Sequence, residues 1–247
     1  MTAAPIAQPP ARPAVHADIS SFEGIVFERR SIRGYRPDPV PQELIQEVIG
    51  IAKRAPSSMN TQPWHFHVVT GEPLKRIREG NVARSLAGAP PSREIVGHGA
   101  YQGAHRDRQK AIAVDLFAAM GIAWEDKDRR QDWVVRGYRQ FDAPVSVVVT
   151  VDRTLEHSPT AYFDCGAATY GLVLAAWSRG LGTVINGQGI THSAVVREHV
   201  AIPEDEVIVV CVALGFPDET FAANDVQATR EPDDGVVAFH GFPSERG

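Results

Sequence analysis

Cysteine is scarce in this chain: 247 residues hold two, Cys165 and Cys211. Each sits in an apolar stretch, F-D-C-G-A-A and I-V-V-C-V-A-L. A disulfide scaffold or a cysteine-built metal site needs more. Free cysteines in such surroundings usually pack as small buried hydrophobes. No apolar run approaches the ~20 residues that span a bilayer, and the N-terminus lacks the continuous apolar core of a secretory signal. The expected compartment is therefore the cytoplasm, with no membrane partner. Positive charge is also short: 25 Lys and Arg face 30 Asp and Glu, a formal net charge of -5. That balance argues against nucleic acid as a partner.

What remains is 43% hydrophobic residues, enough for a sizeable globular core. Residues 1–20 include a proline- and alanine-rich stretch that buries little, so they are expected to form a disordered tail. Residues 21–247 then make a single domain. Phe22 to Arg30 places Phe22, Ile25 and Val26 on one helical face, and a proline-rich loop follows. Leu44, Ile45, Val48, Ile49 and Ala52 recur at helical spacing and predict a helix over Gln42–Arg54. Trp64 to Thr70 reads as a strand, and a helix runs from Gly71 and Pro73 to about Arg84. Residues 85–99 read as a flexible loop, and two charged helices span about 100–120 and 126–140. Val145–Val151 is a buried strand by its unbroken apolar character. Ala161–Arg179 predicts a buried central helix closed by Gly180. A short strand, Leu181–Ile185, and a helix, Thr191–His199, lead to a last core strand, Glu206–Leu214. The mixture predicts an α+β domain, a mixed sheet packed with helices. Residues 216–247 look extended and without a core. They suit either a tail that embraces a partner subunit or a loose terminus.

Three segments carry polar chemistry. Arg29, Arg30, Ser31 and Arg33 put three guanidinium groups and a hydroxyl within five residues, a set that suits a phosphate. Taken alone, such a run more often marks a solvated helix end with surface ion pairs; its apolar neighbours Phe27 and Tyr35 and the stiff proline-rich exit shift the reading toward a phosphate site. The second segment, R-A-P-S-S-M-N-T-Q-P-W-H-F over residues 54–66, is a proline-broken turn. Its Ser57, Ser58, Asn60 and Gln62 match either the edge of a flat heterocycle or the backbone needs of the turn itself. The third, G-L-G-T-V-I-N-G-Q-G-I over residues 180–190, has glycines that permit close backbone approach to a ligand. Its spacing is not the dinucleotide fingerprint. His65, His67 and His98 show no metal-ligand spacing, and no metal is expected.

In this order the three segments resemble the FMN-dependent nitroreductase family, over about Phe22 to Phe242. R-R-S-I-R-G-Y is similar to the family's opening motif, which holds the FMN phosphate and reaches the ring. A-P-S-S-M-N-T-Q-P-W-H-F is similar to its second motif almost letter for letter. I-N-G-Q is similar to the loop against flavin N5 and O4, and the stretch from Ala213 to Pro232 to the closing motif, whose final Arg returns to the phosphate. Two departures stand out: Ala228 where many relatives have Lys, and Asn186 where many have Glu.

The resemblance implies a mostly antiparallel sheet flanked by helices, with the C-terminal tail wrapped around the partner of a homodimer. FMN would sit at the subunit interface. Its binders would be Arg29, Arg30, Ser31, Arg33, Pro56, Ser57, Ser58, Asn60, Gln62, Asn186, Gly187, Gln188 and Arg230, several of them from the second subunit. The Gly187 amide would face N5, and Arg33 would stabilise the reduced ring. NADH or NADPH would supply a hydride in a ping-pong reaction that takes a nitroaromatic from nitro through nitroso to hydroxylamine. Other chemistry on the same site (ene reduction, reductive dehalogenation, flavin breakdown) and flavin binding without turnover are the alternatives. Residues 115–141 should set substrate choice, with Trp124, Trp133 and Tyr138 as candidates alongside ordinary helix packing.

Overall fold

In the computed structural model, residues 21–95, 97 and 99–242 are described. The tail expected over residues 1–20, and His98, lie outside them. Among them, four strands form one antiparallel sheet: β1 (Trp64–Thr70), β2 (Val145–Asp152), β3 (Gly182–Asn186) and β4 (Glu206–Gly215), in the order β1-β2-β4-β3. The mixed character expected of the sheet reduces to an isolated parallel bridge, Ser31 to Thr183, on the outer edge of β3. Among the described residues, seven α-helices accompany the sheet: α1 (Phe22–Glu28), α2 (Gln42–Ala52), α3 (Gly71–Leu86), α4 (Gly103–Ala119), α5 (Lys127–Tyr138), α6 (Pro159–Trp177) and α7 (Ser193–His199).

Helices cover both sheet faces, which explains why β2 (V-S-V-V-V-T-V-D) carries valines on both. Val145 and Val147 pack with Ile45 and Val48 of α2 and Leu172 and Val173 of α6. Val148, the next residue along the strand, packs on the other side with Leu74 and Ile77 of α3 and Val196 of α7. Each such side chain, once buried, contributes about 1.5–3 kcal/mol. Ser158 caps α6, accepting the Ala161 amide at 3.3 Å, with Pro159 in the first turn. Gly180 ends the approach to β3 at φ +74°, a left-handed turn open to glycine at little cost.

α6 corrects one expectation. It is apolar on nearly every side and so reads as fully buried. Yet Phe163 is 78% exposed and Tyr170 is also exposed, so one face of α6 is uncovered within a single chain. The loop expected over 85–99 is also tied down in part. Ser92 N donates to Thr191 O at 2.9 Å, and Arg197 holds the Glu94 carboxylate through both Nε (2.6 Å) and Nη2 (2.8 Å).

The tail beyond β4 begins as part of its own domain. Arg36 N donates to Phe216 O and Asp218 N to Gly34 O, at 2.9 and 3.1 Å. Farther on, Val236, Val237, Phe239 and Phe242 are exposed.

Candidate active site

The sequence-predicted residues fall into two groups on opposite edges of the sheet. The first group lies along β3. Ile32 N donates to Thr183 O at 2.9 Å, which lays the Arg29–Arg33 run on that edge. Gly182 makes the approach possible, because a Cβ there would stand 2.6 Å from Ile32 Cγ1. Arg33 then lines a cavity of about 450 Å³ with Asn186, Gly187 and Gln188. Trp133, Phe141, Val184 and Ile185 supply its apolar walls. Burial lowers the Arg33 pKa from its ordinary value, with Tyr35 acting in the opposite sense. A desolvated cation of this kind favours a negative group beside it.

Asn186 shapes the loop more than it faces a ligand. Its Oδ1 accepts from Gln188 N (2.8 Å) and Gly189 N (3.2 Å), and its Nδ2 donates to Gly137 O at the end of α5 (2.8 Å). Beneath it, Cys211 Sγ donates to Asn186 O at 3.0 Å. Burial pushes the Cys211 thiol up to about 12. The loop is packed so closely that a Cβ on Gly189 would meet Cys211 Sγ at 2.6 Å. The amides of 188 and 189 are thus spoken for, whereas the Gly187 amide donates to no acceptor among the described residues. That amide lies at the cavity wall and stays open to an acceptor in it.

Two functional features escaped the sequence. Asn224, in the closing motif, accepts from Arg33 N (2.7 Å) and Gly34 N (3.1 Å), and donates to Gly34 O (2.8 Å) and Asp218 O (2.9 Å). It locks the arginine segment against the tail. The other is Arg93, from the stretch read as loop, which also lines the cavity.

Phe141 stands in an unusual backbone. Gln140, Phe141 and Asp142 have φ of 55°, 55° and 59°, three successive left-handed residues without a glycine. Such conformations cost about 1–3 kcal/mol each and cluster where structure serves function. Asp142 is held by Arg139 through 2.9 and 3.0 Å contacts, and the turn presents Phe141 to the cavity.

The second group lies elsewhere. Pro56, Ser57, Ser58, Asn60 and Gln62 precede β1, on the far edge from β3. Three strand spacings separate those edges, about 14 Å. Ser58 N donates to the buried Asp164 of α6 at 3.0 Å, and Gln62 N to Ser57 Oγ at 3.0 Å. Met59, Asn60 and Gln62 are left-handed, with φ of 52°, 58° and 47°, and the Met59 side chain is 93% exposed. None of these residues lines the cavity of their own chain. Arg30 places its guanidinium 6.0 Å from the Trp177 ring, and the Nε atoms of Arg29 and Arg30 are buried without a partner among the described residues. Arg230 is exposed and donates to Ala228 O and Thr229 O, at 3.0 and 2.9 Å.

Of the aromatic candidates, Trp133 forms part of the cavity, stacked at 7° on Phe221. Trp124 pairs with Phe117, and Tyr138 stacks on His192, both outside the cavity lining. The His65-x-His67 pair meets a carboxylate after all. Glu206 Oε2 lies 2.6 Å from His67 Nε2, brought there from β4 across β2. Among the described residues no group of three His, Cys, Asp or Glu side chains is placed to hold a metal. No helix of the described residues is long and apolar enough to cross a membrane.

An antiparallel sheet between two helical layers, with a loop glycine and a part-buried arginine lining one cavity, is the architecture of the class. A sequence profile of the nitroreductase family matches residues 26–216, and the chain belongs to that family. It is 33% identical to a 4-nitrobenzoate reductase of Nocardioides sp. (strain LMS-CY), over 90% of each chain. It is also 33% identical to a chloronitrobenzene nitroreductase of Comamonas testosteroni, over 85% of this chain and 92% of that one. Among solved structures it is similar to the FMN- and NADPH-dependent nitroreductase NfnB from Sphigopyxis sp. strain HMH. The TM-score is 0.83 at 29% identity, over 90% of this chain and all of that one.

Proposed function

We propose that this chain is an FMN-dependent NAD(P)H oxidoreductase that reduces nitroaromatic compounds and works as a homodimer. The observation that carries this reading is the Gly187 amide, open at the wall of a cavity that Arg33 and aromatic side chains line. The residues present fit FMN. A free amide suits a ring acceptor, and a desolvated guanidinium suits the edge that gains charge on reduction. The buried, unpartnered Nε atoms of Arg29 and Arg30 are donors in want of an anion. When bound, FMN would supply the redox chemistry, taking one hydride from NADH or NADPH for each two-electron step, so that two hydrides, with protons from water, carry nitro through nitroso to hydroxylamine and release one water.

In this reading Asn186 and Gln188 hold the Gly187 amide in place, and Arg29, Arg30, Ser31 and Arg230 hold the phosphate. Trp133 and Phe141 exclude water and stack the substrate ring. Pro56, Ser57, Ser58, Asn60 and Gln62 reach the ring of the opposite site in the dimer. Three features support that assembly: the separation of the two groups on opposite sheet edges, the uncovered face of α6, and the exposed apolar tail. The stretch from Val236 to Phe242 covers the partner in this reading. The cytoplasm, where reduced nicotinamide cofactors circulate, is the proposed compartment.

The purified protein should be yellow, bleach on addition of NADPH or NADH under anaerobic conditions, and scatter light as a dimer. Arg30→Ala and Arg230→Ala should each lose the colour. A wild-type protein that refuses added FMN would end the flavin reading, and a monomeric yellow protein would end the dimer reading.

A further inference from the structure

Arg93 reaches the cavity from outside every motif considered above. Its Nη1 lies 3.3 Å from where a Cβ on Gly187 would stand, so the guanidinium hangs beside the open amide. Its Nη2 donates to Thr191 Oγ1 at 3.1 Å, a neutral partner. Among the described residues Arg93 has no carboxylate partner, and no acidic residue lines the cavity. The protein as a whole carries a formal net charge of -5, so this is a local inversion of sign.

The segment that bears it is held on both sides. Ser92 is bound through its amide to Thr191 O (2.9 Å) and through its hydroxyl by Ala194 N (3.2 Å). Glu94 is clamped by Arg197 and accepts Ile208 N at 2.9 Å. An exposed side chain on a fixed backbone can swing its guanidinium while its base stays put. Trp133 and Phe141 line the same cavity and give it an apolar wall beside the guanidinium. A cation with spare donors next to a ring-sized apolar space suits an aromatic acid, because guanidinium forks match carboxylates in pairs.

We propose that Arg93 selects nitroaromatic substrates that carry a carboxylate, by pairing with that group while the ring lies against Trp133 and Phe141. This rests on the cavity being the flavin and substrate site. It separates acidic nitroarenes, such as 4-nitrobenzoate, from neutral ones such as nitrobenzene, which give the guanidinium nothing to grip. Arg33 is already assigned to the flavin edge in that reading and is the less exposed of the two arginines, which leaves Arg93 for the substrate group.

The test compares wild type, Arg93→Gln and Arg93→Lys as purified holoenzymes. Benzoate, which cannot be reduced, is titrated by calorimetry, and kcat/KM is measured for 4-nitrobenzoate and nitrobenzene. Arg93→Gln should weaken benzoate binding roughly tenfold or more, the usual scale for a hydrogen bond to a charged group. The ratio of kcat/KM for 4-nitrobenzoate over nitrobenzene should fall by the same factor, through KM. Arg93→Lys should recover part of both. Unchanged benzoate affinity in a yellow Arg93→Gln protein would overturn the assignment, as would equal losses on both substrates. A principal change in the KM for NADPH would overturn it too. A wild-type protein that binds no FMN shows itself in the visible spectrum before benzoate is added, and would overturn the functional reading together with this one.

Discussion

Asn224 and Arg33 stand 191 residues apart and are joined by a 2.7 Å hydrogen bond from the Arg33 amide to Asn224 Oδ1. The same side chain satisfies both polar groups of Gly34. Asn224 is 5% exposed, so water does not replace these bonds readily. Asn224→Ala should therefore cost about 2–3 kcal/mol, the scale of buried polar groups left unmet. It should also weaken FMN binding, since the arginine segment loses its anchor. Urea denaturation and a flavin titration check both. A wild-type midpoint would show that the clamp is ornamental.

Gly34 has no room for a side chain. A Cβ there would stand 2.2 Å from Phe221 Cγ. Gly34→Ala should destabilise the fold by about 1–3 kcal/mol, as overpacking does, and tilt Phe221 off Trp133. Adding Phe221→Ala should recover part of the Gly34→Ala loss. A double-mutant cycle measures that coupling, and strict additivity would rule the contact out.

Thiol chemistry gives a third check. Burial pushes Cys165 up to about 11 and Cys211 up to about 12. Only the thiolate reacts. At pH 8 the folded protein should therefore leave both cysteines unlabelled by a disulfide reagent such as DTNB, and the denatured protein should yield two. Fast labelling of Cys211 while native would contradict the packing of the loop on it, and fast labelling of Cys165 would contradict the burial of that residue on α6.

Glu94 sets an acid limit. Burial works to raise its pKa, but the hydrogen bonds from Arg197 and the Ile208 amide prevail and hold it below the ordinary value. A depressed carboxylate contributes stability that is present above its unfolded pKa, about 4.3, and is lost as pH falls through the folded value. Glu94→Gln should thus lower stability at pH 7 by about 1–2 kcal/mol, with little difference from wild type near pH 2. Thermal midpoints across that range decide it; a constant gap at all pH values would assign the loss to packing alone.

Much of this was legible beforehand, for local reasons. Helix Gln42–Ala52 and strand Val145–Asp152 follow from the spacing and continuity of apolar residues, which depend on near neighbours alone. The turn before Trp64 and the loop at Gly187 announce themselves through proline and glycine. Arg93 does not, because it owes its place to Glu94 and Arg197, 103 residues apart. Asn224 is silent for the same reason. The left-handed turn at Gln140–Asp142 is not announced by its composition, since Gln140 and Phe141 disfavour that backbone and only Asp142 is a type that tolerates it. α6 misleads in another way: an all-apolar helix looks buried, yet what covers Phe163 and Tyr170 is not in the same chain's described residues.

Gly137 and Gln188 close one last link. Gln188 Oε1 occupies the space a Cβ on Gly137 would need, at 1.9 Å, and Asn186 grips the Gly137 carbonyl. The last turn of α5 and the loop bearing the Gly187 amide are therefore bolted together. A bulky guest that shoulders α5 outward drags that amide with it and detunes the reaction it was meant to undergo. Size tolerance and reactivity should fall in step, so widening this enzyme for larger rings calls for loosening the bolt before enlarging the walls.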